Sequence, residues 1–257
     1  MYKRVVISGG ALKGFAILGA LHKYEEKLKN IKYYRGVSVG SIIASLLCIG
    51  YTPLEILKSL EEYSFLFSIS FSNIKNYGLL NKPKEILDKL FKEKLGFVPT
   101  IRDIFEITGK DIVIVATNEK TKKPEYFSKG NNVNIVDAIL ASCNIPFIFD
   151  KFEINGIHYL DGCLTDGLPV VDNDNVPTLC FVVYSNYKPN KSNNIFEYFY
   201  KSIIIPVDYI VELKIQNIQK YMKHISIIKV NIDDLNIYDD SKNNRLKLFE
   251  CGMLNCS

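Results

Sequence analysis

The chain has 257 residues, 47% of them hydrophobic, which is enough to bury a sizeable core and too apolar for disorder. There are 32 Lys and Arg residues against 28 Asp and Glu, a net charge of +4; the excess is too small to argue for nucleic acid and does not oppose an anionic lipid surface. The cysteines (Cys48, Cys143, Cys163, Cys180, Cys251 and Cys256) form no CxxC pair, which argues against a zinc site or a disulfide framework and for buried thiols in a reducing, intracellular setting.

"MYKRVVISGG" runs directly into a strand-like segment, so no signal peptide is expected and the protein reads as cytoplasmic. Residues 4–8, "RVVIS", predict a buried strand, and "GGALKG" a glycine-rich turn. From Phe15 a helix follows, with Ile17, Leu21, Tyr24 and Leu28 on one face and charged residues on the other. "IKYYRGV", 31–37, is a second strand that runs into Ser38. The helix after it is apolar on every side (Ile42, Ile43, Leu46, Leu47, Ile49) and ends at Gly50. Gly36 to Leu54 lacks charge and is nearly long enough to span a bilayer. Its serines, glycines and Pro53 fit a strand end, a turn and a buried helix better.

"TPLE", 52–55, predicts a helix over 53–63, capped by Thr52 with Glu55 completing a capping box. A helix over 84–94 stops at Gly96, and "TIRD", 100–103, opens a short one ending near Gly109. "DIVIVATN" is a buried strand. "NIVDAILASCN" is a helix capped by Asn134, and "FEINGIHYLDG" is a hairpin on an Asn-Gly turn. "TLCFVVYS" and "ISIIKVNI" are further strands, the second the last. Strands alternating with helices predict an α/β fold, a three-layer α/β/α sandwich around a mainly parallel sheet. Polar "SNYKPNKSNN", 185–194, divides a core (1–185) from a helix-rich C-terminal elaboration (186–257) packed on the same domain.

Three segments carry chemistry. The first is Gly36-x-Ser38-x-Gly40, between a strand and an apolar helix, where a nucleophile elbow lifts a serine hydroxyl above a sheet edge. A small-residue packing turn is the other reading. The second is "SGGALKG", 8–14. Backbone N–H groups of Gly9 and Gly10 can hold an oxyanion there. A dinucleotide loop fits less well: the spacing is GGxxxG, Lys13 occupies the turn, and "YYRGVS" offers no carboxylate for a ribose. The third is "YLDGCLTDGLP", 159–169, with Asp161 expected on a loop. Histidine is the usual partner of a nucleophilic serine. His22 lies on a charged helix, His158 in the strand before Asp161, and His224 after the basic "QKYMKH" as a helix cap. A triad in hydrolase order would use Ser38, Asp161 and His224.

Gly9-Gly10-x-x-Lys13-Gly14, Gly36-x-Ser38-x-Gly40, "ASCNIPFIF" (141–149) and Asp161-Gly162, in this order, resemble the patatin-like phospholipase family over about residues 4–185. The resemblance implies hydrolysis of fatty-acyl esters such as phospholipids, with no metal and no other cofactor. It implies a dyad without histidine, Ser38 as nucleophile and Asp161 as base. Gly9 and Gly10 become the oxyanion hole, Lys13 and Gly14 its support, and Gly36 and Gly40 the elbow. Two positions depart from the family pattern: Cys163 stands where Gly or Ala is usual, and Asp166-Gly167 where an Asn is usual. Two alternatives stay open, an esterase using His224 and a non-catalytic lipid-binding module.

"NIPFIF" and "YSFLFSISF" (63–71) are candidate linings of an acyl pocket, and each also reads as ordinary packing. "IFEYFYKSIIIPVDYIV", 195–211, reads as a core helix kinked at Pro206. The other reading docks it on a membrane surface with Lys201 and Lys214 near the headgroups.

Overall fold

A computed structural model describes residues 1–61, 81–146, 148–171, 174–184, 195–232 and 241–257. The predicted linker at 185–194 and the aromatic stretch at 63–71 lie outside the described residues.

One sheet runs through the molecule. Its strands are β1 (Arg4–Ile7), β2 (Tyr33–Val37), β3 (Asp111–Asn118), β4 (Lys123–Phe127), β5 (Phe152–Ile154), β6 (Ile157–Asp161), β7 (Thr178–Tyr184) and β8 (Ile225–Asn231). β3, β2, β1, β7 and β8 lie side by side and parallel. The β4, β5 and β6 pairings are antiparallel. The helices are α1 (Gly14–Lys23), α2 (Glu25–Leu28), α3 (Val39–Cys48), α4 (Pro53–Glu61), α5 (Asn81–Leu95), α6 (Ile101–Thr108), α7 (Ile135–Ser142), α8 (Cys163–Asp166), α9 (Ile195–Tyr221) and α10 (Lys242–Leu254).

Strand alternation separates the two faces. Val5 and Ile7 of β1, with Leu179 and Phe181 of β7, pack into a core shared with α1, α3, α7 and α10. Val6, Cys180 and Val182 point the other way, onto Ile215 and Ile218 of α9. A sheet buried on both faces between helical layers is the expected three-layer architecture. The C-terminal part contributes both a strand, β8 beside β7, and α10, which packs on α1.

Local chemistry accounts for most boundaries. The Thr52 hydroxyl accepts from the Glu55 N–H while Glu55 accepts from the Thr52 N–H, and Thr100 and Asp103 repeat this reciprocal cap at α6. Gly36–Leu54 divides into the end of β2, α3 and the start of α4. Among the described residues no helix is long and apolar enough to cross a membrane.

Four details differ from expectation. The helix predicted from Phe15 to Leu28 breaks at Tyr24, whose ring turns in edge-on against Phe181. β4, too polar to read as a strand, pairs among the described residues with β3 alone. Asp161 is the last residue of β6 rather than a loop residue, and the one-turn α8 starts two residues later. The apolar stretch at 195–211 and the basic one before His224 form one long helix, α9, with Pro206 inside.

Candidate active site

Ser38 ends β2 and begins α3 with φ 51° and ψ −131°, a conformation costly for a residue with a Cβ. Gly36 and Gly40 make the turn feasible. A Cβ on Gly36 would lie 2.3 Å from the Gly40 carbonyl oxygen, and one on Gly40 would lie 2.3 Å from that of Ile7. Two buried serines pin the elbow. Ser142 Oγ accepts from the Ser38 N–H at 2.8 Å and donates to the Val115 carbonyl at 2.5 Å. Ser41 Oγ donates to the Ser38 carbonyl at 2.6 Å. The strained φ therefore rests on a network formed by β3, α3 and α7.

Asp161 meets Ser38 from the opposite direction. Val115 pairs with Val37 of β2 and with Tyr126 of β4, while Ala116 pairs with Asp161 of β6 and Glu125 of β4. β4 thus takes one edge of β3, and β2 and β6 share the other, end to end. The gap between them is the site. Ser38 Oγ donates to Asp161 Oδ2 at 2.7 Å, and the Cys163 N–H donates to Oδ1 at 2.8 Å. Asn144 holds the end of β6 on both sides: its carbonyl accepts from the Asp161 N–H, and its side-chain amide donates to the Tyr159 carbonyl.

Both partners are buried, Ser38 at 5% and Asp161 at 5% exposure. Desolvation raises the Asp161 carboxyl to about 6, against the opposing pull of the Ser38 hydroxyl and the Cys163 N–H. Burial and the adjacent Asp161 charge push the Cys163 thiol well above its ordinary value, so it stays protonated.

The glycine turn lies alongside. A Cβ on Gly9 would sit 2.2 Å from Cys163 Sγ and 3.1 Å from Ser38 Cβ, so the Gly9 backbone lies against both. Gly10 takes φ 155°, and a turn of 3-10 helix (Ala11–Lys13) follows. The Ser8 N–H is taken by Phe181 and the Lys13 N–H by Gly10. Among the described residues, the N–H groups of Gly9 and Gly10 have no protein acceptor. Lys13 is buried in the turn. Gly14 starts α1 against Val39, the residue after Ser38.

These residues form one wall of a pocket of about 720 Å³, part of it open to solvent. Mostly apolar side chains supply the rest, notably Ile145, Pro146, Leu164, Ile204, Val207 and Val211, with Asp208 of α9 among them. Ile145 and Pro146 come from the predicted "NIPFIF" lining, of which Phe147 lies outside the described residues. The sequence offers this part of α9 as a core helix or a membrane-docking one, not as a pocket wall.

The three histidines lie elsewhere. His22 contacts Glu25, and His158 faces Glu153 across the β5–β6 hairpin. The His224 carbonyl accepts from the Thr178 N–H. Thr178 is level with Arg4 and, through it, Tyr33, so Ser38 stands about 16 Å further along the strands. The triad alternative therefore fails on position, because His224 is at the opposite end of the sheet. Ser142 and Asn144 fall inside the "ASCNIPFIF" block that carries the resemblance, but the sequence assigns neither of them a role. A serine inside an apolar helix and an asparagine at its end carry no local signal of these long-range bonds.

The family model described as patatin-like phospholipase matches residues 5–173. A protein of Invertebrate iridescent virus 6 named "Probable lipid hydrolase 463L" is 31% identical over 249 residues, 91% of this chain and 80% of that protein. Human patatin-like phospholipase domain-containing protein 4 is 24% identical over 156 residues, 59% of each chain. Among solved structures, VipD from Legionella pneumophila superposes with a TM-score of 0.58 at 15% identity, over 99% of this chain and 66% of that one. The chain belongs to the patatin-like phospholipase family.

Proposed function

We propose that the protein hydrolyses fatty-acyl esters of lipids through Ser38 and Asp161. The observation that carries this is the 2.7 Å contact from Ser38 Oγ to Asp161 Oδ2, on the wall of an apolar pocket. In the first step Asp161 takes the hydroxyl proton as Ser38 Oγ bonds to the ester carbonyl carbon. The oxyanion is held by the N–H groups of Gly9 and Gly10, with the α3 N-terminus behind Ser38 adding favourable polarity. Collapse breaks the bond to the alcohol or lysolipid, which leaves with the proton from Asp161. A water molecule then gives its proton to Asp161 and attacks the acyl-serine. The fatty acid leaves, and the proton returns to Ser38.

A carboxylate is a weak base in water. Here burial brings it to about 6, closer to a neutral working pH and still ionised there. The scheme uses no histidine and calls on no metal. The pocket's apolar lining supports an acyl chain as the bound group. Exposed Ile205, Tyr209 and Ile210, on the helix whose Ile204 and Val207 line the pocket, favour delivery of substrate from a lipid surface.

The test is a fluorophosphonate label on the purified protein and on Ser38→Ala, followed by fatty-acid release from defined phospholipids and neutral glycerides with chelator present. Labelling that needs Ser38, together with release of fatty acid, supports the reading. Labelling without Ser38, or no release from any ester, overturns it.

A further inference from the structure

Asp166 and Gly167 lie just after the Asp161 turn, and both touch α9. Asp166 closes α8 and is 6% exposed. Its Oδ1 accepts from Lys214 Nζ of α9 at 2.8 Å, and its Oδ2 accepts from the Tyr126 hydroxyl of β4 at 2.8 Å. The first residue of the same single turn, Cys163, donates its N–H to Asp161. One end of α8 therefore holds the base and the other holds α9.

Gly167 brings α9 close. A Cβ there would lie 2.6 Å from Val211 Cγ2 and 3.8 Å from Val207 Cγ1. Val207, Val211 and Lys214 follow one another at four- and three-residue steps, so they share one face of the helix. Val207 and Val211 line the pocket, and Lys214 is the fastening. Pro206 lies inside α9, where it removes a backbone hydrogen bond beside Val207. A helix weakened at that point is held better by contacts on either side of it.

We infer that the Asp166–Lys214 ion pair and the Gly167 contact hold α9 as the wall of the acyl pocket, and so determine which acyl chain lengths the site accepts. The inference rests on the acyl hydrolase reading. Asp166, Gly167 and Lys214 are positioning residues in it, acting through Val207 and Val211. A long chain gains from each methylene laid against that wall, while a short chain gains little.

The experiment measures kcat and KM for a series of esters from butanoyl to hexadecanoyl, using the full chain and the variants Asp166→Asn, Lys214→Met, Gly167→Ala and Val207→Phe. In the first three, the preference for long over short chains is expected to fall about tenfold or more, chiefly through KM for the long chains. Combining Asp166→Asn with Lys214→Met is expected to add little to either alone. Val207→Phe fills the pocket rather than loosening it, and is expected to exclude long chains while short ones are still cleaved. It keeps the test valid if a charge variant does not fold. An unchanged chain-length preference in Lys214→Met and Val207→Phe overturns the inference, as does a loss shared equally by all chain lengths. If the unaltered protein cleaves no ester and takes no label at Ser38, the hydrolase reading falls first and the inference falls with it.

Discussion

Ser38 and Asp161 meet because the strands carrying them lie end to end along one edge of β3, with Val37 opposite Val115 and Asp161 opposite Ala116. Neither residue reaches the other through a mobile side chain or a long loop. The separation is set by consecutive positions of a strand buried at its centre, and the Ser142 bridge from the Ser38 N–H to the Val115 carbonyl locks it. A direct hydroxyl-to-carboxylate contact in such a frame has little freedom to reorganise, which suits a proton transfer without an imidazole.

The first prediction concerns pH. Asp161 must be ionised to accept the proton, and burial raises it to about 6. The rate, kcat/KM, should therefore rise with pH through a single ionisation near 6 and then level off. Asp161→Asn should lower it by about 10²–10⁴-fold, while His224→Ala should leave the profile unaltered. A strong loss in His224→Ala, or near-normal turnover in Asp161→Asn, contradicts the dyad.

The second concerns the glycine turn. A methyl group at position 9 would meet Cys163 Sγ at 2.2 Å and Ser38 Cβ at 3.1 Å. Gly9→Ala should therefore displace the turn and lower kcat by about 10²–10³-fold, the usual cost of losing one oxyanion donor. The sulfur is the nearer obstacle, so Gly9→Ala combined with Cys163→Ala should recover part of that loss. No recovery would mean that the Ser38 contact, not the thiol, sets the position of the turn.

What could be read from the sequence follows from range. Ser38 stands in a local pattern, a strand, a glycine-flanked serine and an apolar helix, and the physics of that turn is complete within a few residues. The Gly9–Gly10 turn is local in the same way. The caps at Thr52 and Thr100 are reciprocal bonds over three residues, the Asn134 side chain accepts from N–H groups two and three residues on, and all are equally local. The end-to-end placement of β2 and β6 depends on the register of β3 with three other strands, which no local pattern encodes. Ser142 was missed for that reason, since its partners are 104 and 27 residues away. Asp166 stood out only as an unexpected carboxylate until Lys214 and Tyr126 appeared beside it.

Ser142 supplies the third prediction. Ser142→Ala leaves the Ser38 N–H and the Val115 carbonyl without a shared partner in a buried setting. Each unsatisfied group costs about 1–3 kcal/mol. Stability measured by urea denaturation should fall by that order. Activity should fall through kcat more than KM, because the elbow relaxes while the acyl pocket is untouched. Ser142→Thr keeps a hydroxyl at the position and should recover part of both. A Ser142→Ala protein with normal stability and normal kcat would show that the strained serine needs no such brace.

The last prediction separates the cost of the site from its activity. The Asp161 carboxyl is raised in the folded chain, from 3.8 to about 6. Between about pH 4 and 6 the folded state keeps a proton that the unfolded state has lost, so stability falls as pH rises through that window. Above it the full cost of a buried, ionised carboxylate is present, on the order of 3 kcal/mol. Asp161→Asn has no such ionisation. Thermal melts of the two proteins should therefore diverge as pH is raised from 4 to 7, with the variant gaining several degrees relative to the native chain. Ser38→Ala removes the hydroxyl that favours the ionised form, so its stability should keep falling to a higher pH than that of the native chain. Melting curves for the native chain and Asp161→Asn that stay parallel from pH 4 to 7 would show that Asp161 is not strained by its burial, and the explanation for its fitness as a base would have to be abandoned.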